Sequence, residues 1–540
     1  MKLFQFLGLA AVLVHVNALA PTDEPRDCDP PQSGYLPNHN IAPSLLANYT
    51  KKWTMKYNVN EQFYATPLVY TPKGSTQELV ITVSIQNIVR VIDGLTGALV
   101  MSRALDAPYL SSDSNCNDGK TVGITGTPII DTDSEILYFF TKGYFNGLAG
   151  PQGVSNGSYK MWALNLPSLT IIPQFPVLIQ GPASNDPSRY FIGGEILQRP
   201  GLAMIGNSII AGFGGHCDSM NYTGILLSVS KTPGAGVVDM MAMEAAPGLP
   251  ADLNLLAGKG GKAGIWQSGM GIAADTTKNR VFFVTGNGDG PGANNGPNGP
   301  PASGKIPVST LEQAIVNIGV DPVTGLFTQQ DYFSPINYQK LNAGDKDMSS
   351  SGLTLLDPVT FSGGGVNRVA VAGSKAGVVY VVDADNLGGF KMGPGNTDAV
   401  LQEMTFTGAH FYSGIGSYPL EGGFIYLCTT GGHLQAWKLT PDAQGRPNFA
   451  FAAQTSITLG CRGTPTITSQ NGAPGTAIVW MHDSTHGLVA FNAVPSGTTL
   501  TQITIPGSGG LGKFHRPAFG NNHVYVTSSN KIIAIGGAAQ

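Results

Sequence analysis

The sequence predicts an all-β fold: an eight-bladed β-propeller of four-stranded antiparallel blades, closed by an N-terminal strand. Two observations carry this prediction, a composition rich in turn-forming residues and a three-strand unit that recurs along the chain. Of the 540 residues only 12% are charged, whereas 72 are glycine. Few charges and many glycines favour a large β-rich domain over a helical one. The net charge of -4 gives no basic surface that would favour nucleic acid as a partner.

The recurring unit opens on a segment of small residues or proline and continues into two further apolar stretches. Eight such openings begin at Tyr64, Ile124, Leu197, Trp266, Met348, Phe411, Cys461 and Phe514. The later stretches, such as "EILYFFT" and "YKMWALNLPSL", are rich in aromatic and aliphatic residues and are bounded by turn residues, as strands are. Four-stranded units repeated around an axis form a propeller. A seven-bladed ring is the alternative count.

The two ends of the chain suggest how the ring closes. The last unit ends at "KIIAIGG" without a fourth strand, and "KKWTMKYNV" at residues 51–59 could supply it. We therefore predict one propeller domain over residues 46–540, preceded by an N-terminal extension over residues 21–45.

The first twenty residues predict a secretory signal peptide. Lys2 supplies the positive charge, residues 3–16 the apolar core, and Ala18-Leu19-Ala20 the cleavage site. No other stretch approaches the ~20 apolar residues that span a bilayer. We therefore expect a secreted, extracellular protein, without a membrane anchor after cleavage and monomeric.

Glycosylation sequons and cysteines agree with secretion. Three sequons are centred on Asn48, Asn156 and Asn221. The cysteines are Cys28, Cys116, Cys217, Cys428 and Cys461. Because their number is odd, at least one thiol is expected to be free. Their spacing does not match a zinc site.

Two turns carry a family resemblance. "VIDGLTGALV" and "GVDPVTGLF" each place D-x-x-T-G after a strand, where Asp caps its own backbone and Gly accepts a positive φ. The motif resembles the blade turn of pyrroloquinoline quinone (PQQ) propellers, the quinoprotein alcohol dehydrogenase-like fold. "GIWQSGMGIAADTTKNRVFFVTGNG" and "DYFSPINYQKLNAGDKDMSSSG" are similar to secreted, fungal-type PQQ-like propellers. The resemblance covers nearly the whole mature chain.

The resemblance implies a cofactor site in the axial funnel. Trp266 matches the tryptophan that forms the floor under the quinone ring, and Asn287 matches the asparagine that binds the catalytic calcium. Lys375 matches a basic residue that contacts the cofactor. PQQ with calcium is the implied cofactor, and the long loop over residues 284–307 is expected to lie over the mouth of the funnel.

Some positions depart from the family pattern. His216 stands where the family has its calcium-binding glutamate, and the loop after Asn287 offers only Asp289 as a catalytic aspartate. Cys116 stands alone where the family has an adjacent pair, and no C-x-x-C-H haem motif exists. Because calcium prefers carboxylate and other oxygen ligands, these departures predict weak binding of calcium and PQQ.

The candidate site residues lie at strand openings and hairpins that should face the funnel. The candidates for catalysis are His216, Asp218 and Asp347, and those for ligand binding are Trp266, Asn287, Lys375, Arg462 and Arg516. Together with Asp345, His410, Tyr412 and His515, they predict a funnel suited to an anionic or polyoxygenated ligand. Each also has a structural interpretation, such as interblade docking for Trp266 or turn capping for the aspartates. His482 and His486 are expected at the surface.

Two classes of function fit these residues. The first is a secreted enzyme acting on a small organic molecule in the funnel, either a quinoprotein-type oxidoreductase or a cofactor-free cyclase, isomerase or coupling enzyme of secondary metabolism. The second is a non-catalytic propeller that binds a ligand, a glycan or a protein. The sequence lacks a G-x-S-x-G elbow and a phosphate-binding loop, which argues against a serine hydrolase and a nucleotide-dependent enzyme. The residues do not assign a metal.

Overall fold

The computed structural model describes residues 22–114, 116, 119–245, 260–289 and 299–537. The predicted signal peptide lies outside these residues, as does the part of the long loop over residues 290–298. The described chain forms eight antiparallel blades around a central axis, which confirms the predicted fold class and the eight-bladed count.

In blades 1 to 4 the strands run outward from the axis in chain order. Blade 1 comprises Leu68–Tyr70, Leu79–Val83, Ile88–Asp93 and Leu99–Ala104, and blade 2 comprises Ile129–Asp131, Ile136–Tyr144, Gly157–Asn165 and Val177–Ile179. Blade 3 comprises Ile196–Gln198, Ala203–Ile205, Ser208–Gly215, Ile225–Ser230 and Val237–Ala242. Blade 4 comprises Ala273–Asp275, Arg280–Val284, Ile315–Val320 and Phe327–Phe333. The innermost strand of blade 3 is split in two at Arg199-Pro200, because proline has no N–H for the ladder.

Blades 5 to 8 complete the ring. Blade 5 comprises Leu353–Leu355, Val369–Gly373, Val378–Asp383 and Gln402–Thr405, and blade 6 comprises Gly416–Tyr418, Phe424–Cys428, Leu434–Leu439, Phe449–Thr455 and the added Thr499–Leu500. Blade 7 comprises Tyr35–Leu36, Thr466–Thr468, Ile478–Asp483, Gly487–Asn492 and Gln502–Ile503. Blade 8 comprises Ala518–Gly520, His523–Ser528, Lys531–Gly536 and Thr50–Lys56.

The remaining regular structure is short. Two hairpins pair Tyr109–Leu110 with Thr121–Val122 and Gly181–Pro182 with Tyr190–Phe191. The α-helices are Pro43–Leu46, Ser111–Ser114 and Tyr338–Ala343, and the 3-10 turns are Val154–Asn156, Gln267–Gly269, Met348–Ser350 and Pro394–Asn396. Within the described residues, none of these helices has the length and apolar character needed to cross a membrane.

The D-x-x-T-G turns form as their residue types predict. In blade 1 the Asp93 carboxylate accepts the backbone N–H of Thr96 at 2.8 Å, and Gly97 adopts a φ of +74°. In blade 4 the Asp321 carboxylate accepts the N–H of Thr324 at 2.7 Å in the same way. A side chain on Gly97 would also collide with the indole of Trp53, so glycine is required there for two reasons.

The N-terminal strand closes the ring as predicted. Thr50–Lys56 pairs antiparallel with Lys531–Gly536 and becomes the outermost strand of blade 8. Trp53 is buried at the junction with blade 1, where its Nε1 donates to the Gly94 carbonyl at 2.8 Å. Covering this strand edge leaves fewer unpaired backbone groups at the point where the chain ends meet.

Residues 24–34 cross the axis and form a plug, a feature that the sequence did not predict. Their backbone pairs with the innermost strands of successive blades: Glu24 bridges Val69 of blade 1, and the Pro30 carbonyl accepts Ala274 N–H of blade 4 at 2.7 Å. Further hydrogen bonds reach blades 2, 5, 6, 7 and 8. The extension therefore ties the blades together and closes one end of the central channel.

Candidate functional site

A cavity of about 390 Å³ lies on the axis at the openings of the innermost strands. Every blade except blade 7 contributes to its lining. Of the sequence candidates, His216, Asp218, Trp266, Asp345, Asp347, Lys375 and Tyr412 line it. Residues that were not predicted as site residues also line it, among them Tyr64, Arg199, Cys217, Lys513 and Phe514. The fold thus gathers side chains that lie up to several hundred residues apart into one aromatic and charged site.

Trp266 forms part of the apolar wall. It is half-buried just before the innermost strand of blade 4, and its ring packs against Gly214 and Gly264, where an added side chain would collide with the indole. The Tyr222 ring meets it edge-on, with the ring centroids 6.4 Å apart. These contacts hold the indole in place, and its remaining surface faces the cavity, where a flat ligand can stack on it.

Three carboxylates meet at one side of the cavity. Asp218, Asp345 and Asp347 each bring one oxygen to within 4.8 Å of the others, a spacing at which carboxylates can share a cation. The Lys375 ammonium supplies positive charge here, with its Nζ 2.6 Å from Asp345 Oδ2 and 3.4 Å from Asp347 Oδ2. We call these three aspartates the acidic cluster.

The environments of the three aspartates push their pKa values in different directions. Burial raises the pKa of Asp347 and of Asp218 above the usual aspartate value. Partial burial acts on Asp345 in the same sense, but hydrogen bonds from Lys375 and Asn287 outweigh it and lower the pKa of Asp345. Groups in one site with separated pKa values can divide the roles of acid and base between them.

Asn287 lies behind the acidic cluster and is held by Gln313. The Gln313 Oε1 atom accepts the Met348 N–H at 2.8 Å, and its Nε2 donates to Asn287 Oδ1 at 2.7 Å. The Asn287 Nδ2 then donates to Asp345 Oδ1 at 2.8 Å, and its backbone N–H donates to Asp347 Oδ1 at 2.9 Å. Asn287 therefore acts as a hydrogen-bond donor to the cluster.

His216 is tied to a buried lysine that the sequence analysis missed. Its Nε2 lies 2.6 Å from the Nζ of Lys142, which also donates to the Gly194 and Ile196 carbonyls at 3.2 and 2.7 Å. Burial strongly lowers the pKa values of both His216 and Lys142. Nearby, burial raises the pKa of Glu195 to about 8. The signal in the sequence was a lysine inside the otherwise apolar strand Ile136–Tyr144.

A disulfide borders the cavity next to His216. Cys116, from the segment between blades 1 and 2, is bonded to Cys217, and Cys428 is bonded to Cys461. Cys28 is buried and free, as the odd number of cysteines predicted. Sequence spacing could not give these pairings, because the partners in the first pair lie 101 residues apart.

Two predicted ligand-binding arginines do not line the cavity. Arg516 is buried on the plug side of it, with its Nε 3.6 Å from Asp27 Oδ2. Arg462 is exposed at the rim, and its guanidinium carbon lies 5.4 Å from the centroid of the Tyr412 ring. Asp289, the loop aspartate next to Asn287, pairs with Lys262 at 2.8 Å.

The surface prediction for His482 is wrong. Its side chain is buried, with Nδ1 3.0 Å from the Gly512 carbonyl and Nε2 3.1 Å from the Thr527 carbonyl. The reason is that neighbouring segments cover the hairpin on which it lies. His486 on the same hairpin is exposed. Of the sequon asparagines, Asn48 and Asn156 are exposed and Asn221 is half-buried.

Comparison with solved structures shows which known proteins have a similar fold. A quinohemoprotein alcohol dehydrogenase from Comamonas testosteroni matches with a TM-score of 0.57 at 14% identity, over 96% of this chain and 81% of that chain. One from Pseudomonas putida HK5 gives 0.57 at 13%, over 96% and 81%. A europium-containing methanol dehydrogenase gives 0.58 at 11%, over 96% and 98%. The chain thus shares its propeller fold with these dehydrogenases. No protein-family profile and no curated protein sequence matches it.

The two positions that the resemblance matches to calcium ligands do not fit that ion. Calcium takes oxygen ligands. His216, at the glutamate position, is an imidazole whose Nε2 is occupied by Lys142. Asn287, at the asparagine position, turns its NH₂ rather than its oxygen toward the acidic cluster. The two matched positions therefore offer no oxygen lone pair to an ion.

Proposed function

We propose that the protein is an enzyme that carries out acid–base chemistry on a small organic molecule bound in the axial cavity. The observation that carries the proposal is the acidic cluster, where Lys375 favours the ionised form of Asp345 while burial favours the protonated forms of Asp347 and Asp218. A carboxyl whose pKa is raised holds its proton more readily, so it can serve as a general acid and, once deprotonated, as a general base. Cyclisation and isomerisation, which need proton transfers and no net oxidation, are the reactions that suit this arrangement.

The residues around the cluster define the ligand. The indole of Trp266 offers a flat apolar surface, and Tyr64, Tyr412 and Phe514 extend it. Arg199, Lys375 and Lys513 add positive charge. An aromatic wall with a few placed polar groups is the usual composition of a small-molecule site. A planar molecule that carries carbonyl, hydroxyl or carboxylate groups is the ligand class that fits, as expected for a secondary metabolite.

Oxidation in the manner of the quinoprotein dehydrogenases is a second candidate, supported by the fold and by the flat wall at Trp266. It predicts dye-linked alcohol oxidation once purified protein is supplied with PQQ and calcium. The orientation of Asn287 and the contact between His216 and Lys142 argue against it, and we expect little turnover in this assay.

We further propose that the protein is secreted as a glycosylated monomer. The two disulfides support an oxidising compartment, and the exposed sequons at Asn48 and Asn156 are accessible to glycosylation. N-terminal sequencing of the mature protein should begin after Ala20, and a start at Met1 would contradict this proposal.

Native mass spectrometry of the purified protein tests the main proposal. A ligand from a metabolite extract should bind to the wild type and be lost in Trp266→Ala, which removes the stacking surface. Val359→Ala is the control, because Val359 is 88% exposed and is not part of the cavity lining. Incubation with the wild type should then change the chromatographic retention or mass of the ligand. Unchanged ligand would favour the non-catalytic binding propeller, and equal binding to Trp266→Ala would exclude the cavity as the site.

A further inference from the structure

The backbone N–H of Met348 determines the orientation of the Asn287 amide, through the side chain of Gln313. The Met348 N–H can only donate, so the atom of Gln313 that it meets must be the oxygen. The other end of the Gln313 amide is then the NH₂ group, which can only donate, so Asn287 must present its oxygen to Gln313. This fixes the NH₂ of Asn287 on the side of the acidic cluster. Gln313 is completely buried and Asn287 is 7% exposed.

The NH₂ of Asn287 occupies a position from which an oxygen could reach an ion. It donates to Asp345 Oδ1 at 2.8 Å, and a hydrogen bond to Asp218 helps to lower the pKa of that carboxyl against the larger effect of burial. An N–H dipole directed at the cluster stabilises its negative charge and repels a cation from that side.

Lys375 supplies the positive charge that a divalent ion would otherwise bring. Its Nζ contacts Asp345 and Asp347, and its backbone carbonyl accepts a hydrogen bond from His410, 2.6 Å from Nδ1. The backbone N–H of Lys375 also donates to the Asp347 carbonyl at 2.9 Å. The lysine is thus anchored to the segment that carries two of the three carboxylates.

We infer that Gln313 is a positioning residue that keeps Asn287 a donor, so that the acidic cluster takes the Lys375 ammonium in place of a divalent cation. The inference concerns the ion selectivity of the funnel and does not depend on the proposed reaction. Where the resemblance implies a calcium ligand, Asn287 thus presents a hydrogen-bond donor to the cluster.

Terbium luminescence tests the inference. Tb³⁺ binds the oxygen ligands that calcium prefers, and Trp266 on the cavity wall can sensitise its emission. The wild type should give no saturable signal below about 1 mM, the weak end of protein calcium sites. Asn287→Asp exchanges the NH₂ for an oxygen of the same shape and should bind Tb³⁺ at least tenfold more tightly. Asn207→Asp is the control, because Asn207 lies in a turn of blade 3 outside the cavity lining.

Gln313→Met provides the second variant. It removes the donor to Asn287 Oδ1 and lets the amide turn its oxygen toward the cluster, so it too should gain Tb³⁺ affinity over the wild type. Thermal melting identifies any variant that fails to fold. If one of the two variants fails, the Tb³⁺ affinity of the other variant tests the inference. Tight Tb³⁺ binding by the wild type, or equally weak binding by every folded variant, would overturn the inference.

Discussion

The Nζ atom of Lys142 lies 2.6 Å from Nε2 of His216, and both side chains are almost completely buried beside the axial cavity. The same Nζ donates to the Gly194 and Ile196 carbonyls, so the Lys142 amine contacts three polar groups where burial strongly lowers its pKa. The contact anchors His216 to blade 2. It also engages His216 Nε2, one of the two nitrogens of the imidazole.

Replacing Lys142 by methionine should destabilise the protein substantially. The change removes the Lys142 donor to the Ile196 carbonyl and the polar partner of His216 Nε2, and it leaves the Gly194 carbonyl with only the Tyr109 hydroxyl. Each buried polar group left unpaired costs about 1–3 kcal/mol. Urea denaturation measures the loss. Lys160→Met is the matched control, because Lys160 lies on the neighbouring strand and pairs with Asp106 nearer the surface, where an ion pair contributes about 0–1 kcal/mol. Equal stability of the two variants would show that the Lys142 contacts are not important.

Glu195 should make the stability of the protein depend on pH. Burial raises its pKa from 4.5 to about 8, so between these values the folded state binds a proton that the unfolded state releases. The contribution of Glu195 to stability is therefore fully present below pH 4.5 and is lost as the pH rises toward 8. The wild type should lose stability relative to Glu195→Gln over this window, by at most about 1.4 kcal/mol per pH unit. Parallel pH profiles of unfolding free energy would contradict the prediction.

Closure of the ring by the N-terminal strand should be visible in thermal melting. Trp53→Ala removes a buried indole, and such changes cost about 3–5 kcal/mol. The loss of the hydrogen bond to Gly94 adds to this. Val59→Ala, in the same segment but 73% exposed, should leave the Tm nearly unchanged. A Trp53→Ala protein that melts with the control would mean that the ring does not depend on this junction.

The sequence predicted the blades because their signals are local. The apolar pattern of a strand and the turn at Asp93 can each be recognised within about ten residues of sequence. Repetition of the three-strand unit then predicts a closed ring of blades. The missing fourth strand near Lys531 likewise indicated that residues 51–59 close it. Trp266, Asp347 and Lys375 could be placed in the funnel because strand openings converge on the axis of any propeller.

The remaining features depend on contacts that sequence spacing does not encode. The plug pairs mainly through backbone groups, so its residue types carry little signal. Lys142 meets His216 across 74 residues. The orientation of Asn287 is set by Gln313, a residue with no motif around it. His482 was wrongly expected at the surface because hairpin position alone does not show which segments cover it.

The central claim is that the cavity is a catalytic site in which the Asp347 carboxyl transfers a proton. The most direct measurement is the single-turnover conversion rate of the ligand identified by native mass spectrometry, compared between the wild type and Asp347→Asn at neutral pH. Asparagine keeps the shape of the side chain but cannot transfer the proton, so the rate should fall by about 10²–10⁴-fold while the dissociation constant of the ligand changes little. An Asp347→Asn protein that converts the ligand as fast as the wild type would contradict the claim.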